Sequence, residues 1–207
     1  MTLITAAELL ERILAGNRGW AKGSSERDYL GAPTDPLIHQ PPVAVIGCSD
    51  ARVMPAAVFG AAPGAIFTLR LPGHYTDIPV AAGMGFAVAT AGARLVIVLG
   101  HEDCRAVDAA FKEYRTGTAP DKALAPLSGA LAAGLYEAGG ATSAEHAVDV
   151  NARHTAQKLL AQCPVLRYEI SLGHAQLAVL RYSPSTKLLT VLEESVMPPR
   201  DATHSVD

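Results

Sequence analysis

The segment VIGCSDARV, residues 45–53, ends a run of apolar residues with a cysteine, an aspartate and an arginine. A second segment, VIVLGHEDC at 96–104, has the same design, with a histidine and a cysteine as its polar residues. Each is typical of a short buried strand that stops at a glycine, Gly47 or Gly100, and is followed by ionisable or metal-binding side chains. Strands buried on both faces indicate the parallel sheet of an α/β protein.

The rest of the chain predicts helices that alternate with strands. We predict helices at 5–22, 55–60, 79–92, 103–114, 121–138 and 142–161, and strands at 41–47, 65–71, 94–100, 166–172, 175–183 and 187–194. Thr5, followed by Glu8 three positions later, forms a capping box at the start of the first helix. The predicted architecture is a single domain over 1–207: a central, mostly parallel sheet flanked by helices, with an antiparallel edge strand and an N-terminal helical arm at about 5–22.

Composition narrows the class of protein. The 207 residues are 49% apolar, enough for one buried core, and the formal charge of -3 without a Lys/Arg run argues against nucleic-acid or anionic-membrane partners. Glu8, Glu11 and Arg12 interrupt the segment where a secretory signal needs an apolar run, so we expect a cytoplasmic protein. Residues 79–100 carry one charge, Arg94, but their composition favours a buried helix and strand over a membrane span.

Three residues have side chains that bind transition metals and lie at predicted strand ends. In open α/β sheets, ligands bind beyond the carboxyl ends of the strands, and Cys48 follows one such end while His101 and Cys104 follow another. His101 and Cys104 are three apart at the entry to a helix, so their side chains share one face. Two thiolates and one imidazole favour zinc and leave a fourth position for water or substrate.

Asp50 and Arg52 fit the chemistry of such a site. Zinc held by histidines lowers the pKa of bound water from about 15.7 to about 7. Two thiolates neutralise the formal charge of the ion, so this site is expected to acidify water less and to benefit from a carboxylate that accepts its proton. Asp50 is placed for that role, and a bidentate Arg52 would keep it ionised and off the metal.

The residues alone leave ordinary interpretations open. An isolated H-x-x-C pair often occurs by chance, and a lone cysteine after a strand is usually a small apolar residue. Asp50 and Arg52 could form a loop salt bridge with no further role. The coincidence of both segments at strand ends favours the metal site.

These residues resemble the β-class carbonic anhydrase family. Its C-x-D-x-R motif is matched by Cys48, Asp50 and Arg52, and its H-x-x-C motif by His101 and Cys104. Further similarity lies in LAGNRGWAKG (14–23), VFGAAPGAIFTLR (58–70) and VNARHTAQKLLAQCPVLR (150–167), so that the resemblance covers nearly the whole chain.

The resemblance implies one Zn²⁺ per chain and the reversible hydration of carbon dioxide to bicarbonate and a proton by a zinc-bound hydroxide. Cys48, His101 and Cys104 would hold the metal, and Asp50 and Arg52 would form the catalytic dyad. In some members the Asp instead takes the fourth zinc position at rest. The family also implies homodimers or larger homo-oligomers, whose N-terminal helices embrace the partner; no nucleic-acid or membrane partner is expected.

Two departures from the family pattern fall near the expected site. An R-N-A-G-N-like segment commonly follows the second strand, whereas residues 70–74 here read RLPGH, and the usual glycine after the last zinc cysteine is Arg105. The candidate substrate-pocket residues are Leu71, Gly73, His74 and Arg105. His74 has two interpretations, a proton shuttle with an ordinary pKa near 6.5 or, more commonly, a loop histidine bonded to backbone.

Other functions remain open from the sequence. The altered pocket suggests, as one alternative, hydrolysis of carbonyl sulfide or carbon disulfide on the same fold. Another is a non-catalytic zinc-binding protein in which Asp50 caps the metal permanently. A Cys/His nucleophilic enzyme is disfavoured, because the C-x5-R phosphatase pattern fails at Met54, six positions after Cys48.

Overall fold

A computed structural model describes residues 4–196, which form a five-stranded sheet with helices on both faces. The strands are β1 (Val43–Gly47), β2 (Ile66–Arg70), β3 (Leu95–His101), β4 (Gln176–Tyr182) and β5 (Leu189–Glu193). The helices are α1 (Ala6–Ala21), α2 (Pro55–Val58), α3 (Ile78–Ala89), α4 (Arg105–Thr116), α5 (Ala125–Glu137), α6 (Ala144–Gln162) and α7 (Pro164–Ser171). Residues 1–3 and 197–207 of the predicted domain lie outside the described residues.

The sheet order is β2-β1-β3-β4-β5, which confirms the predicted fold class. The first four strands are parallel, and β5 pairs antiparallel to β4 at the edge. The connections run in opposite directions from β1 and β3, so these neighbours form the switch point at which α/β proteins bind ligands. Gly47 is in register with Leu99, and β1 and β3 therefore end at the same edge of the sheet.

Both faces of the central strands β1 and β3 are buried, as their continuous apolar runs predict. Ala44 and Ile46 of β1 belong to the core shared with α3, α6 and α7, whereas Val43 and Val45 belong to the core shared with α1 and α2. The alternation of side chains along a strand thus places successive residues of β1 in two different cores.

Helix α1 begins as predicted from its capping box. The Thr5 hydroxyl accepts the Glu8 N–H at 3.2 Å, and the Glu8 carboxylate accepts the Thr5 N–H at 2.7 Å. Residues 79–100 form nearly all of α3 and of β3, and within residues 4–196 no helix has the length and apolarity of a membrane span.

The predicted strand at 166–172 is wrong, because this segment forms most of α7. Leu166, Tyr168, Ile170 and Leu172 are two apart and imitate the alternation of a strand. The structure buries only Leu166 and Ile170, which are four apart on one helical face, and leaves Tyr168 61% exposed. Pro164 in the first turn favours the helix, since its missing N–H needs no partner there.

Candidate metal centre

The carboxyl ends of β1 and β3 bring three metal-binding side chains together. Cys48 directly follows β1, His101 is the last residue of β3, and Cys104 caps the start of α4. Their ligand atoms all lie within 4.8 Å of one another, and all three residues are buried. The structure therefore unites the three residues that the sequence proposed as ligands.

The geometry of the donors fits zinc. The two Sγ atoms are 3.9 Å apart, and two thiolates on a tetrahedral zinc at about 2.3 Å from the metal would lie about 3.8 Å apart. His101 Nδ1 lies 2.8 Å from the Glu102 carbonyl oxygen, which can only accept, so Nδ1 carries the proton. Its buried Nε2 has no hydrogen-bond partner among the described residues. A free imidazole lone pair beside two sulfurs is a set of donors that suits zinc.

The two cysteine side chains interact closely with each other through their sulfur atoms. The hydrogen bond between the two sulfurs lowers the pKa of Cys48, against an opposing effect of burial. The pKa of Cys104 is raised by the same hydrogen bond with Cys48 and by burial. Backbone N–H groups of Asp50 and Gly73 also donate to Cys48 Sγ, at 3.4 and 3.3 Å. The opposite directions of the two pKa shifts favour ionisation of one of the two thiols, and a metal ion held by both sulfurs would displace the other proton.

Asp50 and Arg52 form a bidentate ion pair beside the three donors. Arg52 Nε donates to Asp50 Oδ1 at 3.0 Å and Nη2 donates to Oδ2 at 2.7 Å. The Arg52 backbone N–H also donates to Oδ1, at 2.9 Å. These contacts, with the side-chain hydrogen bond from Arg52 foremost, hold the pKa of Asp50 well below its usual range. Asp50 is therefore ionised, and Oδ2 keeps a lone pair for a further donor.

Arg70 is a residue whose part in the site the sequence reasoning missed. Its Nε donates to the Cys48 carbonyl oxygen at 2.9 Å and its Nη2 to the Asp50 carbonyl oxygen at 2.7 Å. Arg70 ends β2 in register with Gly47, so its side chain reaches the loop that follows β1. One sequence signal could have identified Arg70: it is an arginine at the end of the strand next to β1.

A cavity of about 1030 Å³ opens beside this centre. Its wall includes Cys104 and both members of the ion pair. Its other charged residues are Glu102, Asp103, Arg105, Asp108 and Glu145. Small molecules can thus reach the centre through this cavity, whose wall carries both positive and negative side chains.

Of the four candidate pocket residues, Arg105 is among the described residues that line this cavity, and Leu71, Gly73 and His74 are not. Leu71 is half-buried against the core that α3 and α6 share. Gly73 contacts Cys48 through its N–H, and His74 is completely buried, with a pKa that burial lowers to about 4. A partner that the sequence did not indicate, Asn151, lies 2.7 Å from His74 Nε2.

Comparison with known proteins gives a family and a fold. The model of the carbonic anhydrase family matches residues 43–189, which contain both motifs. Carbonic anhydrase 2 of Mycobacterium tuberculosis is 36% identical over 110 residues, or 48% of this chain and 53% of that protein. The chain thus spans about half the length of this curated relative.

Solved structures show the same fold. The β-carbonic anhydrase CafA of Aspergillus fumigatus has 26% identity and a TM-score of 0.62, over 76% of this chain and 78% of that one. One of two tetrameric β-carbonic anhydrases from Sordaria macrospora has 22% identity and a TM-score of 0.61, over 74% and 81% of the two chains. At that identity the second likeness concerns the fold alone.

Proposed function

This chain belongs to the β-class carbonic anhydrase family, and from that premise we propose that it interconverts carbon dioxide and water with bicarbonate and a proton. The observation that carries the proposal is the group of Cys48, His101 and Cys104 at the wall of an open cavity, next to an ionised Asp50. One zinc ion per chain, held by these three residues, would supply a Lewis acid that acidifies a water molecule.

Asp50 is proposed as the acceptor that orients this water in the cavity. Arg52 occupies one acceptor direction of each carboxylate oxygen and leaves Oδ2 able to accept another hydrogen bond. The ion pair also keeps Asp50 charged, so the carboxylate accepts and does not donate. Arg52 itself is fixed by a further hydrogen bond, from Nη2 to the Asp103 carbonyl oxygen at 3.2 Å.

The ion pair also argues against the alternative of a metal permanently capped by Asp50. Two charge-assisted hydrogen bonds from the Arg52 side chain and a third from its backbone N–H restrain the Asp50 carboxylate, so a shift of this group onto the metal would weaken those contacts. We therefore propose a site whose fourth position is open to substrate.

We also propose a homo-oligomer, as the family resemblance implies. A related fold occurs in the tetrameric enzymes of Sordaria macrospora. The cytoplasmic location stays a prediction.

The test combines metal analysis with stopped-flow hydration of carbon dioxide from neutral to alkaline pH. Cys104→Ser should lose zinc and activity together, because one thiolate ligand is gone. Cys163→Ser is the matched control: Cys163 is also buried, but its Sγ contacts the Leu166 N–H at the start of α7. It should keep about one zinc per chain and a rate that rises with pH.

Two results would count against the proposal. A folded wild-type protein without affinity for zinc would reject the metal site. Zinc-loaded protein that turns over carbonyl sulfide or carbon disulfide but leaves carbon dioxide unchanged would keep the metal site and replace the substrate.

A further inference from the structure

The 3₁₀ turn Pro72–His74, between β2 and α3, has an unusual backbone. Gly73 and His74 are consecutive left-handed residues, with φ of 64° and 46°. A Cβ on Gly73 would lie 2.8 Å from Leu131 Cδ1 and 3.3 Å from Ala106 Cβ. Residues with a Cβ rarely adopt this conformation, so neighbouring groups must hold His74 in it.

Asn151 of α6 holds both residues of this turn. Its Nδ2 lies 3.0 Å from the Gly73 carbonyl oxygen and 2.7 Å from His74 Nε2. The carbonyl can only accept, so the amide nitrogen must face it, and the same nitrogen then donates to Nε2. His74 is consequently neutral, as its complete burial favours, and its proton is on Nδ1, which has no hydrogen-bond partner among the described residues.

The 3₁₀ turn also contacts Cys48, one of the proposed metal ligands. The Gly73 N–H donates to Cys48 Sγ at 3.3 Å, while the Gly73 carbonyl accepts from Asn151. Asn151 of α6 thus holds the carbonyl group of Gly73, and the Cys48 sulfur holds its N–H group. Rotation of this residue would break the contact with Cys48.

From this chain of contacts we infer that Asn151 is a positioning residue for the metal centre, which acts by aiming the Gly73 N–H at the Cys48 sulfur. The inference rests on the proposed role of Cys48 as a zinc ligand. A hydrogen bond to a thiolate is charge-assisted, and it restrains the sulfur and reduces the electron density that the sulfur gives to the metal.

A role in holding α6 to the sheet does not account for Asn151. Helix α6 packs on the sheet through apolar side chains, among them Ala152, Ala156 and Leu159. Both hydrogen bonds of the Asn151 amide nitrogen go to the turn instead, 77 and 78 residues away along the chain. Removal of the amide should therefore change the metal centre more than the packing of the helix.

The experiment uses Asn151→Leu, with Leu159→Val on the same helix as a matched control that loosens packing without touching the turn. In the cobalt-substituted protein, Asn151→Leu should move the thiolate-to-cobalt charge-transfer band to longer wavelength, because the sulfur loses a hydrogen bond. Transfer of zinc from the loaded protein to a chelator should become about tenfold faster or more. Leu159→Val should match the wild type in both measurements.

The outcomes separate this inference from the proposed function. A wild type that binds cobalt without a thiolate band would refute Cys48 as a ligand, and with it the proposed function. A wild type with that band and an indistinguishable Asn151→Leu variant would overturn the inference alone. If Asn151→Leu does not fold, cadmium-113 NMR of the loaded wild type decides: coupling between the Gly73 amide proton and cadmium through Cys48 Sγ supports the inference, and its absence overturns it.

Discussion

Arg52 binds both carboxylate oxygens of Asp50, two positions before it in the chain, at 3.0 and 2.7 Å. The Arg52 side chain is 48% exposed and that of Asp50 18%. An ion pair this accessible to water contributes only about 0–1 kcal/mol to stability. Its effect is therefore one of orientation: it fixes a carboxylate at the cavity and joins the loop after β1 to the Asp103 carbonyl after β3.

Arg52→Lys should separate this orientation from charge. A lysine ammonium keeps the positive charge but cannot form the planar, two-point contact with Asp50. We expect unchanged zinc content, a free energy of unfolding within about 1 kcal/mol of wild type, and carbon dioxide hydration roughly tenfold to a hundredfold slower. Metal analysis, denaturant titration and stopped-flow kinetics measure the three.

Arg12→Lys is the control for this change. Arg12 pairs with Asp28 at 3.3 Å, and it is not among the described residues that line the cavity of the metal centre. It should leave the hydration rate at the wild-type value. An Arg52→Lys variant as active as Arg12→Lys would show that the bidentate contact does not matter for catalysis.

Arg105 should affect the capture of bicarbonate more than the metal. It is exposed at the first position of α4 and lines the cavity together with several acidic residues. Arg105→Gln removes a positive charge from the path of an anion, so we expect a several-fold higher KM for bicarbonate at low salt and a smaller difference at high salt. Zinc content and the kcat for carbon dioxide hydration should not change.

The matched control is Arg115→Gln, in the last turn of the same helix and outside the cavity wall. It removes the same charge from the protein as a whole. Equal effects of the two variants on the KM for bicarbonate would mean that net charge, and not the place of Arg105, is responsible.

The sequence predicted the parts of this site that depend on local order. Cys48 and His101 each follow an apolar run, and the carboxyl ends of parallel strands meet at one edge, so their approach follows from the fold class. Asp50 and Arg52 are two apart, and a short loop suffices to pair them. These parts of the site follow from residues that are close in sequence and from the rule that the carboxyl ends of parallel strands meet at one edge of the sheet.

The sequence did not predict contacts between residues that are far apart in the chain. It also did not predict the secondary structure of one segment whose pattern fits both a helix and a strand. Arg70 and Asn151 reach the site from 20 to 78 positions away, and only the packing of β2 and α6 decides what they contact. Residues 166–172 fit two periodicities, and burial against α3 and α6 selected the helical one. Tertiary contacts therefore supply the information that the pattern lacks.

Gly16 should be required for the close packing of α1 against the backbone at Phe59. A Cβ at this position would lie 2.2 Å from the Phe59 carbonyl oxygen, a backbone atom that has little room to move. We expect Gly16→Ala to lower the free energy of unfolding by about 1–3 kcal/mol, the usual cost of overpacking. Denaturant titration of the purified variant measures this loss.

Gly19, one turn later in the same helix, provides the comparison. Its added Cβ would meet only Ser24 Cβ at 3.7 Å, an ordinary contact. Gly19→Ala should therefore raise the free energy of unfolding by about 0.5–1 kcal/mol, because alanine favours the helix. If both variants were equally stable, the close approach of α1 to Phe59 would be refuted.

His154 should make the fold sensitive to acid. Burial lowers the pKa of His154 below 6.5. The Glu137 carboxylate, 3.3 Å from Nε2, opposes this shift, and Lys158 adds to it to a lesser extent. The unfolded chain therefore binds a proton at this residue before the folded chain does. The stability contribution of neutral His154 is present above about pH 6.5 and is lost as the pH falls below that value. In urea titrations of wild type and His154→Gln, the stability of the wild type should decline relative to the variant over this range. Glu137→Gln removes the opposing charge and should steepen the decline, whereas a difference between wild type and His154→Gln that stays constant with pH would contradict the prediction.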